Sequence, residues 1–271
     1  QGRRFIQAEY WKYALKYSLP LIPEAISIQI MNQADKIMIQ FLAGYEYTGI
    51  FALGTTISFI IWIVEDSVWN AFLPWMYEKI SGNEAEDIKE PWTVLMHGFG
   101  ILSWFLVALA PEIVAVLGPK EYRMAVFLIA PMVTGTLLRF YSYIYTAIQN
   151  YYKKTSYVAA GTIAAMVVNV ILNYVCIRRF GYMAAAYTTA SSYFILLVFQ
   201  GYLEKKVAGR RVIPLKKSVI ISCIYLALNL VTMELFAFQW YVRYLVILTV
   251  TALAAKWILP QFLKAVRSFK S

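Results

Sequence analysis

The 271 residues hold two cysteines, a single histidine and only 15% charged side chains. Cys176 and Cys223 both fall in apolar stretches and offer neither a disulfide framework nor a metal cluster. One histidine, His97, cannot build a paired-imidazole metal site and leaves little for acid–base chemistry. No D-x-D, no glycine-rich phosphate loop and no secretory cleavage signal can be read along the chain. The sizeable polar loops are two, EKISGNEAEDIKEP at 78–91 and EKKVAGRRVIPLKK at 204–217, too short for a soluble catalytic domain. An embedded glycosyltransferase or acyltransferase is therefore a poor fit, and no enzymatic activity is expected.

What is present is apolar. The chain is 61% hydrophobic and 17% aromatic, with a mean hydropathy of +0.58. Soluble domains run at about 45–50% apolar, so these residues are expected to meet lipid. The fold class expected is all-α, a polytopic membrane protein of eight transmembrane helices at about 17–43, 47–74, 92–117, 122–150, 155–177, 181–203, 218–237 and 240–262. Gly44, Gly82 with Pro91, Gly118 with Pro119, Gly181, and Gly209 with Pro214 punctuate them.

The net charge of +10 lies between these spans, where cationic loops set orientation and meet anionic headgroups, so no nucleic acid partner is expected. With eight spans, 17 of the 25 Lys and Arg residues fall on the side of the chain ends: Arg3, Arg4, Lys12, Lys16, Lys79, Lys89, Lys153, Lys154 and the run from Lys205 to Lys217, then Lys264, Arg267 and Lys270. The other side has Lys120, Arg123, Arg178, Arg179 and Arg243. The bias places both ends in the cytoplasm, with membrane lipid as the surrounding partner.

Within the apolar spans a few charges stand out. The first helix, through IMNQADKIMIQFLAG, carries Glu24, Asp35 and Lys36. At about 100° per residue, Glu24 and Asp35 point in nearly the same direction, with Gln29, Asn32, Gln33, Lys36 and Gln40 on the adjoining arc. Pro23, Ile26, Ile30, Ile37 and Phe41 hold the opposite side. A polar arc this wide suits a water-filled surface that contacts substrate or ion; a local pairing of Asp35 that only orients the bundle is the plainer alternative. Pro20 and Pro23 mark a helix that bends or breaks near its start.

The second helix has adjacent Glu65 and Asp66, which sit at the cytoplasmic interface if it ends near Asn70. The fourth has Arg139, with Gly135, Ser142, Tyr143, Thr146 and Asn150 on its face by rotation. A guanidinium among hydroxyls and an amide suits a phosphate-bearing ligand; snorkelling, or pairing with Asp35 or Glu65, is the alternative. Asn169 and Asn173, one turn apart, read as interhelical hydrogen bonds, and the small residues of GYMAAAYTTASS as close helix packing.

Three stretches together resemble a known family. ALKYSLPLIPEAISIQIMNQADKIMIQFLAGYEYTGIFALGTTIS (14–58) is similar to the segment of Wzx-like O-antigen and capsular polysaccharide flippases in which a Pro-rich helix start precedes an Asp followed by a basic residue and a Leu-Gly turn. LAPEIVAVLGPKEYRMAVFLIAP (109–131) and AIQNYYKKTSYVAAGTIAAMVVNVILNYVCIRRFGYMAAAYTTASSYF (147–194) follow in the family's order. These flippases belong to the multidrug/oligosaccharidyl-lipid/polysaccharide exporter superfamily, whose members have twelve or fourteen helices in two lobes.

The resemblance implies that residues 1–203 are the second six-helix lobe and 204–271 a cytoplasmic loop with two additional transmembrane helices. Opening at Gln1, the chain is expected to continue a longer protein whose N-terminal lobe is its partner. The implied function is flipping of an undecaprenyl-diphosphate-linked oligosaccharide across the bacterial cytoplasmic membrane by alternating access. No cofactor is expected, with H⁺ or Na⁺ as coupling ion. The implied cavity residues are Glu24, Asn32, Asp35, Lys36, Glu65, Asp66, Arg139, Tyr143 and Asn150. By analogy with related lipid II flippases, the two terminal helices (218–262) would form a side groove for the lipid tail. A cation-coupled drug or metabolite antiporter of the same superfamily, or a non-transporting scaffold, stays open as the alternative.

The basic bias generates a prediction. Single cysteines introduced at Asn83 and Gly209 react with a membrane-impermeant thiol reagent only after the cells are permeabilised. Labelling of either one in intact cells contradicts the eight-span topology.

Overall fold

The computed structural model describes residues 8–237 and 240–268, all helices and connecting turns with no strand among them. Arg3, Arg4 and Lys270, counted in the basic bias, lie outside the described residues. Eleven α-helices succeed one another: α1 (Ala8–Ser18), α2 (Leu21–Leu42), α3 (Tyr45–Ser81), α4 (Lys89–Ala108), α5 (Ala110–Leu117), α6 (Val126–Tyr151), α7 (Thr155–Phe180), α8 (Ala184–Ala208), α9 (Leu215–Glu234), α10 (Trp240–Trp257) and α11 (Leu259–Ser268). Three short 3₁₀ turns precede α4, precede α6 and follow α9.

The expected first span is divided: α1 stops at Ser18 and α2 starts at Leu21, with Pro20 between. Pro20 cannot donate to the turn before it, while its fixed φ suits a helix start. Glycine closes α2 and α7: Gly44 and Gly181 take φ of 109° and 80°, which side chains with a Cβ rarely adopt.

Among the described residues, five helical stretches are long and apolar enough to cross a membrane: Tyr45–Ser81, Ala85–Ala108, Lys120–Tyr151, Thr155–Phe180 and Leu215–Glu234. A sixth is formed if Trp240–Trp257 and Leu259–Ala265 make one span broken by a 46° bend. That is fewer than the eight expected. The two missing are α2 and α8, of 22 and 25 residues. Their length suffices, at about 33 and 37 Å. What sets them apart is the density of acids, amides and hydroxyls, from Glu24 to Gln40 on α2 and from Thr188 to Glu204 on α8.

α6 is the central helix. Of its most apolar window 72% is buried, against 33% for α3, α7 and α9. It packs against α8, α3, α9 and α4. Gly135 of α6 brings the α8 backbone at Ala190 within 3.4 Å of where a Cβ would stand. Gln149 donates to the side chain of Gln200 on α8, which donates in turn to the Val158 carbonyl of α7. α9 belongs to the same body: Asn229 donates to Ser103 and Thr134, Trp104 to Thr232, and Tyr145 to Ser218.

The connections gather at two ends. At one, Arg210 reaches the Asn83 side chain and Thr155 the Tyr17 carbonyl. At the other, Tyr47 stacks on Tyr182 and Arg243 pairs with Glu112. Ile26, Ile30, Ile37 and Phe41, expected on the lipid side of α2, are all exposed, Phe41 by 81%.

Candidate functional site

Asp35 is the best-anchored polar residue of α2. It is 5% exposed, and both carboxylate oxygens are held. Asn173 of α7 donates to Oδ1 at 2.5 Å and the Thr189 hydroxyl of α8 to Oδ2 at 2.8 Å. Asn173 also donates to Asn169, Asn169 donates to Thr189, and the Thr188 hydroxyl donates to Asn173. Asn169 and Asn173 therefore make the interhelical bonds their spacing suggested. The local role weighed for Asp35 is real, since its carboxylate is the acceptor on which α2, α7 and α8 converge.

That junction forms the floor of a cleft of about 280 Å³ between α2, α3, α6 and α8. α2 contributes Gln29, Asn32, Gln33, Asp35 and Lys36; α3 contributes Thr55, Ser58, Phe59 and Trp62; α6 contributes Met132, Thr136 and Arg139; α8 contributes Thr189 and Tyr193. The three-to-four residue spacing on each helix is that of one helix face. The Tyr193 hydroxyl donates to Asn32 at 3.2 Å and ties the rims of α2 and α8 together.

Arg139 faces this cleft. Its guanidinium carbon stands 5.9 Å from the ring centres of both Trp62 and Tyr193. Its Nε has no hydrogen-bond partner, and it forms no ion pair among the described residues. Two aromatic faces stabilise a cation without neutralising it. It senses the Glu65 carboxylate electrostatically. Glu65 is 1% exposed, and neither of its oxygens has a hydrogen-bond partner.

A second groove, of about 340 Å³, runs between α3 and α6. Asp66, Trp69, Asn70, Leu73 and Tyr77 line one wall and Tyr143, Thr146, Ala147 and Asn150 the other. The α6 residues continue the stripe that begins with Thr136 and Arg139, so the two cavities follow one seam. From Thr136 to Asn150 it extends about 21 Å.

The sequence-derived candidates are thus divided. Asn32, Asp35, Lys36 and Arg139 share the cleft, and Asp66, Tyr143 and Asn150 share the groove. Glu65 lies one residue before Asp66 and inside the packing. The helix does not end near Asn70: α3 runs to Ser81 with Pro74 inside it, so Glu65 sits deep rather than at an interface. Asp66 instead accepts a hydrogen bond from Asn70. Glu24 lines neither cavity. It shares Asp35's direction, but eleven residues along α2 separate them by about 16 Å, and shared direction is not shared depth. Gly135 and Ser142, placed beside Arg139 by rotation, are buried, and the Ser142 hydroxyl donates to the Arg139 carbonyl. His97 lies apart on α4 against Tyr225.

Thr189, Tyr193, Trp62 and Thr136 complete the site and were not among the candidates. Thr189 stands inside the stretch that reads as small-residue packing. The usable signal was its spacing of four from Tyr193, the pair that α8 turns toward α2. An apolar groove of about 350 Å³ also occurs between α4 and the bent pair α10–α11, lined by Phe99, Leu102, Phe105, Ala255, Ile258 and Phe262.

The junction and the Arg139 guanidinium respond differently to mutation. Asp35→Leu leaves the Asn173 amide and the Thr189 hydroxyl without an acceptor, and each orphaned donor costs about 1–3 kcal/mol. Asp35→Leu is expected to lower stability by about 2–4 kcal/mol, and Arg139→Gln by about 1 kcal/mol. Thermal unfolding in detergent measures both; equal losses contradict the assignment of Asp35 to the junction and Arg139 to the open wall.

Comparison of the chain with protein-family models, with curated proteins and with solved structures finds no match.

Proposed function

We propose that this chain forms one lobe of a bacterial plasma-membrane flippase that moves an undecaprenyl-diphosphate-linked oligosaccharide from the cytoplasmic to the outer leaflet. The observation that carries the reading is Arg139: a guanidinium over two aromatic rings on a polar cleft wall, with no carboxylate paired to it among the described residues. A diphosphate inside a membrane protein needs continuous charge compensation, since an uncompensated buried ion costs several kcal/mol even after relaxation. A guanidinium supplies a permanent charge and a fork that matches phosphate oxygens. The seam from Thr136 to Asn150 offers hydroxyl, amide and aromatic groups to sugars, and the apolar groove beside α10–α11 offers a surface to a prenyl tail.

In this reading α2 and α8 also cross the membrane, which makes eight spans with both chain ends cytoplasmic. Their polar groups face the cleft and the junction, and their apolar sides face lipid. A preceding lobe of the same protein closes the cavity from the other side, and H⁺ or Na⁺ drives the cycle; the role is that of a carrier, not an enzyme. The buried carboxylate of Glu65 favours a second reading, a cation-coupled antiporter, in which the carboxylates rather than Arg139 contact the cargo.

Export at matched membrane levels of the full-length protein separates the two. Arg139→Lys keeps the charge and loses the fork, so it retains partial export. Arg139→Gln and Arg139→Ala remove a charge-assisted interaction of about 1.5–3 kcal/mol and are expected to lose about 10–100-fold. If Gln performs as well as Lys, charge at 139 is irrelevant and the flippase reading fails.

A further inference from the structure

The groove between α3 and α6 holds acceptors that lack donors. No lysine or arginine is among the residues that line it, and its one carboxylate, Asp66, forms no ion pair among the described residues. Asp66 Oδ2 accepts from Asn70 at 3.0 Å, while Oδ1 has no donor among them. On the facing wall the Asn150 Oδ1 is buried without a hydrogen-bond partner, and the Thr146 hydroxyl directs its proton to the Ser142 carbonyl and keeps its lone pairs. Aromatic rings stand on both walls: Trp69 of α3 and Tyr143 of α6 have centres 5.6 Å apart, and Tyr77 lies further along α3 with its hydroxyl on the Ala147 carbonyl.

A buried acceptor is satisfied only when something brings it a donor. A pyranose ring brings several hydroxyl donors, together with apolar C–H faces that pack on aromatic rings. At about 340 Å³ the groove is at the small end of ligand sites, with room for one ring rather than a chain. Tyr143 follows Arg139 by one helical turn, about 6 Å, so a diphosphate on the guanidinium places the next group at Trp69 and Tyr143.

We infer that this groove seats the sugar attached to the diphosphate, and that Asp66 makes it select a ring without an acidic group. This inference rests on the reading of Arg139 as the diphosphate site. A uronic acid would set a second carboxylate beside Asp66, with no lysine or arginine on either wall to offset it. Such a juxtaposition discriminates by penalising the wrong ligand rather than by strengthening the right one. Basic residues just past the walls are engaged elsewhere: Lys79, two residues past Tyr77, pairs with Glu84 and Asp87, and Lys153, three past Asn150, sits over the Tyr13 ring. Arg139 is itself taken by the diphosphate. A quaternary ammonium ligand would suit the carboxylate and the rings, but it has no donor for Asn150 Oδ1.

The test uses the full-length protein in lipid nanodiscs with farnesyl diphosphate, and with the same diphosphate carrying either glucose or glucuronic acid, sugars that differ only at C6. Calorimetry is expected to give the glucose probe an affinity at least about tenfold above that of the glucuronate probe. Asp66→Asn closes the gap to within about threefold, and Asn150→Asp, which sets an acid on the opposite wall, widens it. Equal affinity for the two sugar probes in wild type, or a gap that Asp66→Asn leaves unchanged, overturns the selection. A glucose probe that binds no more tightly than farnesyl diphosphate overturns the groove as the sugar's seat and leaves the anion site standing. Farnesyl diphosphate that binds undiminished to Arg139→Gln, or does not bind wild type, overturns both. Should Asp66→Asn fail to fold, Asn150→Asp decides: a wider gap supports the selection, and an unchanged one rejects it.

Discussion

The cleft depends on how Asp35 is held. Its two oxygens receive one donor from α7 and one from α8, and through them α2 is bonded to two neighbours. Interhelical hydrogen bonds in membranes average about 0.6 kcal/mol and reach about 1.7 kcal/mol, so no single bond here fixes the bundle. Four of them, with one bond inside α7, share Asp35, Asn169, Asn173, Thr188 and Thr189 and do more, because each leaves another group unsatisfied if it breaks. With α2 and α8 pinned at this point, Asn32, Lys36 and Tyr193 are set around an opening rather than collapsed into it.

Charge is distributed along the same logic. Asp35 is fully committed to structure, Arg139 is buffered by aromatic faces yet unneutralised, and Glu65 is buried with nothing to bond. Three ionisable groups on three helices thus have three different degrees of satisfaction. The most and the least satisfied are both carboxylates, and the difference arises from neighbours rather than residue type: Asp35 accepts from an amide and a hydroxyl, whereas neither Glu65 oxygen meets a donor among the described residues.

Much of this was legible in the sequence. The all-helical character follows from long apolar runs, and the lipid side of α2 follows from the spacing of Ile26, Ile30, Ile37 and Phe41. The Arg139 stripe was half legible: Tyr143, Thr146 and Asn150 lie along it, but Thr136 takes the place of Gly135. Rotation by 100° per residue is accurate enough for a face and too coarse for its edge. The end of α3 was not legible: the expected span closes at 74, whereas the helix runs through Pro74 to Ser81, and Glu65 lies buried well inside it. Depth along an axis was also hidden, which is why Glu24 seemed to join Asp35. The sequence marked α2 and α8 as spans by length, whereas the density of polar residues they turn toward other helices keeps both out of the helices apolar enough to cross a membrane.

The central claim is that the cleft between α2, α3, α6 and α8 is open to water and favours anions. The reactivity of a single cysteine at Thr136, with Cys176 and Cys223 replaced, tests it most directly. Two methanethiosulfonates of similar size and opposite charge are compared, with a cysteine at exposed Asn83 as reference for the ratio of rates. A water-filled, anion-selective cleft makes the anionic reagent relatively faster at 136 than at 83, and Arg139→Gln erases that preference. A cysteine at 136 that reacts with neither reagent, or faster with the cationic one, contradicts the account.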